Sequence, residues 1–282
     1  MKSSILVTGN KGMVGRVVEA TLKAYGHDVV GFDVLDGKDI RDIDALRAEM
    51  AGCGAVVHLA ALKLKHSPKD VFEVNVLGTW NVLAAGEAAG VRRIVYCSSV
   101  NALGVFLNLR APDYLPIDDD HPCYPSNAYG VSKRMAEEMC RCFTARSNIP
   151  TICLRPPGVW TDERMRQMAL KPVDDPDYER TPFWEYGCFI HASDLAEATV
   201  AALTCPGVSH EVLLVNAPDV WSGCKTSREL AKEMYPEVTW RGGSEYELEP
   251  FRPLMVTTPA QRILDWSPRI GWRSPNNPAT AP

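Results

Sequence analysis

The sequence predicts an α/β fold in which helices cover both faces of a doubly wound parallel sheet. Up to Pro156, short apolar segments alternate with longer segments whose apolar residues recur at helical spacing. The short segments are mostly apolar along their length, as strands buried on both faces are. The chain has 282 residues and is 46% hydrophobic, which suffices for a sizeable core.

The first predicted elements alternate in type. Ser4–Gly9 is a β-rich run that ends in glycine, and Met13–Gly26 is a helix that ends at a glycine C-cap. His27–Asp33 is the second strand. Asp42–Met50 has helical spacing, and Gly54–Ala61 is a third apolar strand. This order favours parallel pairing, because each strand is followed by a crossover helix.

The alternation continues through the middle of the chain. Asp70–Gly90 is a long predicted helix with another glycine stop, and Val91–Ser99 is the strand that follows it. Asn127–Arg146 is a second long helix, and Thr151–Pro156 is the fifth strand.

The composition changes after Pro156. Gly158–Tyr186 is rich in proline, charge and aromatic residues, and we expect it to form an irregular cap over the carboxyl edge of the sheet. Asp194–Leu203 is a predicted helix and Glu211–Asn216 a predicted strand. The last nine residues, SPNNPATAP, are expected to be disordered.

This change divides the chain into two parts. We expect residues 1–157 to form the sheet domain and residues 158–282 to form mainly a smaller lobe, with residues 188–216 returning to the sheet domain. Asp194 is expected to N-cap the helix that follows it.

Charge and composition argue against several classes of partner. The formal charge is −5 with interspersed signs, so no basic block indicates a nucleic acid or an anionic membrane. No apolar run reaches the roughly 18 residues of a membrane helix, and the N-terminus lacks the form of a signal peptide. The nine cysteines show no C-x-x-C. We expect reduced thiols, no metal and a cytoplasmic location.

The strongest local motif is TGNKGMVG, between the first strand and the first helix. Glycines here permit a tight turn and close approach of the backbone to a pyrophosphate, which the helix N-terminus attracts. The motif therefore predicts dinucleotide binding. The predicted contacts are Gly9, Gly12, Met13, Val14 and Gly15.

Asp33 ends the second predicted strand. A carboxylate at that position can accept both ribose hydroxyls of NAD and would repel the 2′-phosphate of NADP. The next residues are VLDGK, with no arginine to compensate. The sequence therefore favours NAD, although Asp33 could merely end a strand.

Taken together, these motifs resemble the extended short-chain dehydrogenases/reductases, the family of sugar-nucleotide epimerases and dehydratases. The resemblance covers most of Lys2–Asp194, with a weaker match at Thr257–Trp272. It implies a Rossmann-type sheet, a small C-terminal substrate-binding lobe and a homodimer formed through the two long helices. The motifs in family order are TGNKGMVG, KDIRD, VVHLAALK, NVLGTWNVL, VYCSSV, PSNAYGVSK, LRPPGV and FIHASDLAEA.

The resemblance also implies further cofactor contacts. They are Asp39 and Ile40 beside the adenine, Leu59, Ala60 and Ala61 along the middle, Lys63 against the pyrophosphate, Asn75 with a structural role on the central helix, and Pro156 at the nicotinamide.

Ser99, Tyr129 and Lys133 match the family's catalytic serine and its Y-x-x-x-K pair. Residues four apart share a helix face, so an ammonium beside the phenol would lower the pKa of Tyr129. Tyr129 could then exchange a proton with an alcohol or ketone, and Lys133 could also bind the cofactor. The predicted substrate contacts are Ser99, Asn101 and Arg164.

We therefore expect an NAD-dependent enzyme that acts on a secondary alcohol of a sugar or nucleotide sugar. The residues after Ser99 are VNALG rather than the Thr-Asp-Glu of dehydratases, which disfavours dehydration. A dehydrogenase of a sugar or sugar acid is slightly favoured. The alternatives are a nucleotide-sugar 4-epimerase that retains NAD and a non-catalytic NAD(P)-sensing regulatory protein.

Overall fold

Parallel strands form the central sheet of the computed structural model, which describes residues 4–174, 177–178 and 182–279. Within those ranges the sheet has six strands in the order β2-β1-β3-β4-β6-β9. This confirms the predicted doubly wound sheet. The strands are β1 Ser4–Thr8, β2 Val29–Phe32, β3 Cys53–His58, β4 Ile94–Cys97, β5 Tyr114–Leu115, β6 Thr151–Arg155, β7 Gly158–Trp160, β8 Phe189–His191, β9 His210–Leu214 and β10 Thr239–Trp240.

Helices cover both faces of this sheet in the order that the sequence predicts. A π-helical turn, Glu73–Gly78, joins α3 to α4 within the first long predicted helix. The helices are α1 Met13–Ala24, α2 Ile43–Met50, α3 Pro68–Phe72, α4 Thr79–Ala89, α5 Ala128–Ser147, α6 Asp162–Asp174, α7 Ala192–Thr204, α8 Ser227–Met234, α9 Glu245–Leu248 and α10 Thr258–Leu264.

Alternate strand residues explain why both faces of the sheet are apolar. Leu6 and Ile94 pack with residues of α2, α4 and α5 on one face. Val7 packs against α1 and α7 on the other face, and Val95 packs against α7 and α10. Because successive side chains of a strand point to opposite faces, a strand covered by helices on both sides must be apolar throughout.

The strand order places a crevice at the carboxyl ends of β1 and β3. From β1 the chain runs to β2 on one side and returns to β3 on the other. Thr8 pairs with Phe32 and with His58, so all three strands end together. In open α/β sheets, ligands bind where the strand order reverses in this way.

A second apolar cluster lies beyond the carboxyl edge of the sheet. It includes Phe106, Trp160, Tyr186 and Trp221, with two small sheets, β5–β10 and β7–β8, beside it. The expectation of an irregular cap is wrong in part, because α6 and β7 are regular elements within it. The predicted division of the chain at residue 157 stays a prediction.

Two further expectations for the C-terminal part are wrong. His191, and not Asp194, N-caps α7, while the Asp194 carboxylate accepts the backbone N–H of Ile270 at 2.8 Å. The tail is packed as far as Ala279, since Asn277 is buried and its amide donates to the carbonyl of Trp272 at 2.5 Å. Residues 280–282 of the predicted disordered tail lie outside the described residues. Across the described ranges, we find no helix whose length and apolarity would allow it to cross a bilayer.

Candidate active site

The glycine loop packs directly against the end of β3. Gly9 has a φ of +71°, and a Cβ at this position would lie 2.8 Å from the backbone nitrogen of Ala60. A Cβ at Gly15 would overlap the carbonyl oxygen of Gly9. Glycine is therefore required at both positions. No side chain caps the N-terminus of α1, so its first backbone N–H groups face the loop uncapped.

A cavity of about 470 Å³ runs along this edge of the sheet. Most of the residues that line the cavity were predicted from the sequence. Lys38 and Arg41 also line it and were not predicted. The size and the glycine cradle fit an extended dinucleotide. The predicted residues that line it are Gly9, Gly12, Met13, Val14, Gly15, Asp33, Asp39, Ile40, Leu59, Ala60, Ala61 and Lys63.

Asp33 lies at one end of the cavity with its carboxylate turned into the loop. Its two oxygens accept the backbone N–H groups of Lys11 at 3.0 Å and Leu35 at 2.9 Å. Because a carboxylate can accept about four hydrogen bonds, it retains capacity for ribose hydroxyls. The nearby cations are already paired, Lys38 with Glu49 at 2.7 Å and Arg41 with Asp39 at 2.7 Å. This pairing fits the ribose hydroxyls of NAD better than a 2′-phosphate.

We expect Asp33→Asn to weaken NAD binding about 10- to 100-fold, because a hydrogen bond to a charged acceptor is lost. NADP binding should strengthen as the negative charge is removed. Calorimetric titration of both cofactors measures this effect without a substrate. Asp44→Asn removes an exposed carboxylate on α2 and should leave both affinities unchanged. Equal affinities of the Asp33 variant and the wild type for NAD would contradict the assignment.

Asn75 holds Leu62, a residue that lines the cavity. The side chain is buried, and its amide is satisfied by Leu62, whose N–H donates to Oδ1 at 2.7 Å and whose carbonyl accepts from Nδ2 at 2.9 Å. Nδ2 also donates to the hydroxyl of Ser132 on α5 at 3.0 Å. Asn75 therefore ties the segment after β3 to α5, and its assignment as a cofactor contact stays a prediction.

The predicted catalytic residues meet at the end of β4. Asn127 caps α5 by accepting the N–H of Gly130 at 2.8 Å, which places Tyr129 in the first helical turn and Lys133 one turn later. The ammonium of Lys133 donates to the carbonyl of Cys97 at 2.6 Å and lies 5.8 Å from the ring centroid of Tyr129. Helix and strand are thus joined through the side chain of Lys133.

Ser99 completes the site. Its hydroxyl oxygen accepts both the backbone N–H and the side-chain amide of Asn101, each at 3.2 Å. The same hydroxyl lowers the pKa of Tyr129, against the effect of burial. Because its oxygen already accepts two hydrogen bonds, the hydroxyl of Ser99 can donate a hydrogen bond to Tyr129 or to a substrate oxygen.

The expectation that Lys133 lowers the pKa of Tyr129 is wrong for this structure. Burial raises the pKa of Tyr129, and the hydroxyl of Ser99 opposes that effect. Burial also lowers the pKa of Lys133. The physical reason is that the ammonium hydrogen-bonds to the carbonyl of Cys97 rather than to the phenol. Burial therefore favours the neutral phenol of Tyr129 over the phenolate in this structure.

Cys97, the last residue of β4, contacts the catalytic residues through the ammonium of Lys133. Burial raises the pKa of its thiol, and the positive charges of Lys133 and of Lys63 oppose this rise. β3 pairs with β4 with His58 opposite Tyr96, so the segment after β3 that lines the cavity follows directly beside the end of β4.

The remaining predicted residues lie in different surroundings. The carbonyl of Pro156 accepts the N–H of Val100 at 3.1 Å, which sets it beside Ser99. Arg164 is exposed on α6 and its guanidinium bonds Gln167 at 3.4 Å; no contact joins it to Tyr129 within the described ranges. The same ranges contain no cluster of three potential metal ligands.

Sequence reasoning missed Glu185 at this edge. Its carboxylate accepts the N–H of Gly158, two residues after Pro156, at 3.0 Å, and it acts electrostatically on Tyr129. The sequence offered no motif for Glu185; its only signal was the atypical composition of the segment that contains it.

Comparison with known proteins agrees with this arrangement. A family model described as the NAD dependent epimerase/dehydratase family matches residues 5–171. A uronate dehydrogenase of Pseudomonas syringae pv. tomato is 23% identical over 74% of this chain and 72% of its own length. An L-arabinose 1-dehydrogenase (NAD(P)(+)) of Haloferax volcanii is 34% identical over 58% of this chain and 70% of its own.

A solved structure shares the fold of the whole chain. The UDP-N-acetylglucosamine 4-epimerase from Bacillus cereus superposes with a TM-score of 0.72, covering 98% of this chain and 97% of that protein, at 19% identity.

Proposed function

This chain belongs to the NAD dependent epimerase/dehydratase family, and on that premise we propose that it is a dehydrogenase of a sugar or sugar acid that oxidises a secondary alcohol. NAD is its cofactor, and when bound it supplies the hydride acceptor. The observation that carries the proposal is the hydrogen bond from Lys133 to the carbonyl of Cys97 at 2.6 Å, which holds the helix of Tyr129 against the strand end that leads to Ser99. The cavity built on the glycine loop supplies the cofactor site. The similarity to an L-arabinose dehydrogenase supports a sugar substrate.

Each of the chain's own groups has a distinct task in this proposal. The hydroxyl of Ser99 donates a hydrogen bond to the reacting oxygen, since Asn101 already occupies its acceptor positions. In the oxidation, the phenolate form of Tyr129 accepts the hydroxyl proton of the alcohol, and in the reverse reduction the phenol returns it. Lys133 is buried and holds the end of β4 against α5, which fixes the distance between Ser99 and Tyr129.

The test is incubation of the purified protein and NAD with a panel of free sugars, sugar acids and nucleotide sugars. We expect stoichiometric NADH release with a free sugar or sugar acid. Formation of an isomer without net NADH would instead establish the nucleotide-sugar 4-epimerase. NAD binding with no turnover of any substrate would favour the sensing protein.

We also propose that the chain forms a homodimer through α4 and α5. Three large apolar side chains are exposed on these helices and on the turn before them: Leu77 in the π-helical turn that precedes α4, Trp80 on α4 and Met135 on α5, with exposed fractions of 51%, 51% and 41%. Exposed apolar side chains that form a patch mark contact surfaces between proteins, and we infer that these three belong to one.

A double substitution tests this surface. Leu77→Glu with Trp80→Glu should convert a dimer into a monomer, because it places two charges in an apolar contact. The molar mass measured by light scattering after gel filtration should fall from about twice the 31.1 kDa chain mass to the mass of a single chain. The control is Leu248→Glu, at a leucine on α9 that is 82% exposed, which should remain dimeric. A monomeric wild type would overturn the proposal.

A further inference from the structure

We propose that Glu185 is a substrate-binding residue that accepts a hydroxyl next to the reacting carbon and thereby selects neutral sugars over sugar acids and nucleotide sugars. This inference rests on the proposed function and names its substrate class.

The position of Glu185 follows from three backbone contacts at the carboxyl edge of the sheet. Ser98 donates its N–H to the carbonyl of Leu154 at 2.7 Å, and Val100 donates to Pro156 at 3.1 Å, so Ser99 lies directly beside the end of β6. Two residues beyond Pro156, the N–H of Gly158 donates to Glu185 at 3.0 Å. The carboxylate thus stands at the same edge as the catalytic hydroxyls.

Glu185 also acts on the catalytic residue itself. Its negative charge is the smallest of the causes that act on the pKa of Tyr129, after burial, Cys97 and Ser99. Burial raises the pKa of Glu185 to about 7, and the hydrogen bond from Gly158 opposes this rise only in part. Within the described ranges, Gly158 is the one hydrogen-bond donor to this carboxylate and no cation pairs with it.

The backbone at Glu185 is held in a conformation that side chains rarely adopt. Glu185 and Tyr186 have φ angles of 50° and 61°, both in the left-handed region. Such residues persist only where their surroundings hold them, and they concentrate at functional sites.

The next two residues supply that restraint. Tyr186 packs edge-on against Phe106 with ring centroids 5.0 Å apart, and its hydroxyl bonds the carbonyl of Val105. The carbonyl of Gly187 accepts the N–H of Trp221 at 2.7 Å. The fold therefore holds Glu185 in this conformation, with its carboxylate on the N–H of Gly158.

A carboxylate with one donor and spare acceptor capacity suits the hydroxyl groups of a sugar. Above about pH 7, where Glu185 is ionised, its charge repels a uronate carboxylate or a nucleotide diphosphate in the site, since like charges at short range in a partly buried site are costly. Neutral polyhydroxylated substrates are therefore favoured.

The experiment compares galactose with galacturonate, and glucose with glucuronate, because each pair differs only at C6. The wild type should have the higher kcat/KM for the neutral member. Glu185→Gln should lower kcat/KM for the neutral sugar about 10- to 100-fold and shift the neutral-to-acid ratio at least about tenfold towards the acid. Glu163→Gln, at an exposed carboxylate on α6, should leave the ratio unchanged.

The outcomes separate this inference from the function on which it rests. If the wild type prefers the sugar acid, the proposed role of Glu185 is wrong. This comparison uses the wild type alone, so it remains decisive even if Glu185→Gln does not fold. An unchanged ratio in a variant that binds NAD normally also overturns it, while dehydrogenase activity stands. If no sugar of any kind reduces NAD, the proposed function falls and this inference falls with it.

Discussion

Replacement of Tyr129 by phenylalanine should lower kcat for NAD reduction about 100- to 10,000-fold, the usual contribution of a positioned acid or base. The substitution removes one hydroxyl, and Ser99 keeps the two hydrogen bonds that it accepts from Asn101. NAD affinity should therefore change little. Steady-state kinetics with the best sugar of the panel, together with a cofactor titration, separate the two effects.

Tyr25→Phe is the matched control for this prediction. Tyr25 is 56% exposed at the end of α1, and its hydroxyl donates to Glu197 at 2.6 Å. Loss of that hydroxyl should leave kcat unchanged. If Tyr129→Phe retained more than about a tenth of the wild-type kcat, Tyr129 would not be the proton-transfer residue.

The second large effect concerns stability. Glu137 on α5 is fully buried and binds Arg155 of β6 through two hydrogen bonds of 2.8 Å, while Ser98 donates to it at 2.6 Å. Glu137→Leu leaves the buried guanidinium uncompensated, which typically costs about 3–5 kcal/mol. We expect the melting temperature to fall by roughly 10 °C.

Two further variants identify the cause of that loss. Glu138→Leu removes a neighbouring carboxylate that is 48% exposed and pairs with Arg141, and it should cost less than about 1 kcal/mol. Glu137→Leu combined with Arg155→Met should recover most of the stability, because neither charge remains buried. Equal melting temperatures for the Glu137 and Glu138 variants would show that the buried pair contributes no more than a surface pair.

The catalytic residues could be predicted because each belongs to a local pattern. Tyr129 and Lys133 are four apart on a helix that Asn127 caps, so their shared face follows from helical geometry. The glycine loop is equally local, since Gly9 and Gly15 contact each other within one turn between β1 and α1. These features depend on few contacts with distant parts of the chain.

The pKa of Tyr129 could not be predicted in the same way. Its direction depends on how deeply the phenol is buried and on where the ammonium of Lys133 points. The acceptor of that ammonium is the carbonyl of Cys97, which lies on a strand far away in the sequence. Helical spacing places Tyr129 and Lys133 on one face of α5. It does not determine that the ammonium of Lys133 bonds the carbonyl of Cys97 instead of the phenol.

The sequence by itself determined the sheet, its covering helices, the glycine loop and the residues of the acid–base pair, because periodicity and short motifs act over a few residues. Only the tertiary structure decided that Asn75 anchors Leu62 and that the carboxylate of Glu185 accepts the N–H of Gly158. The physical reason is that these relations join residues distant in sequence, and burial and charge depend on the whole packed chain.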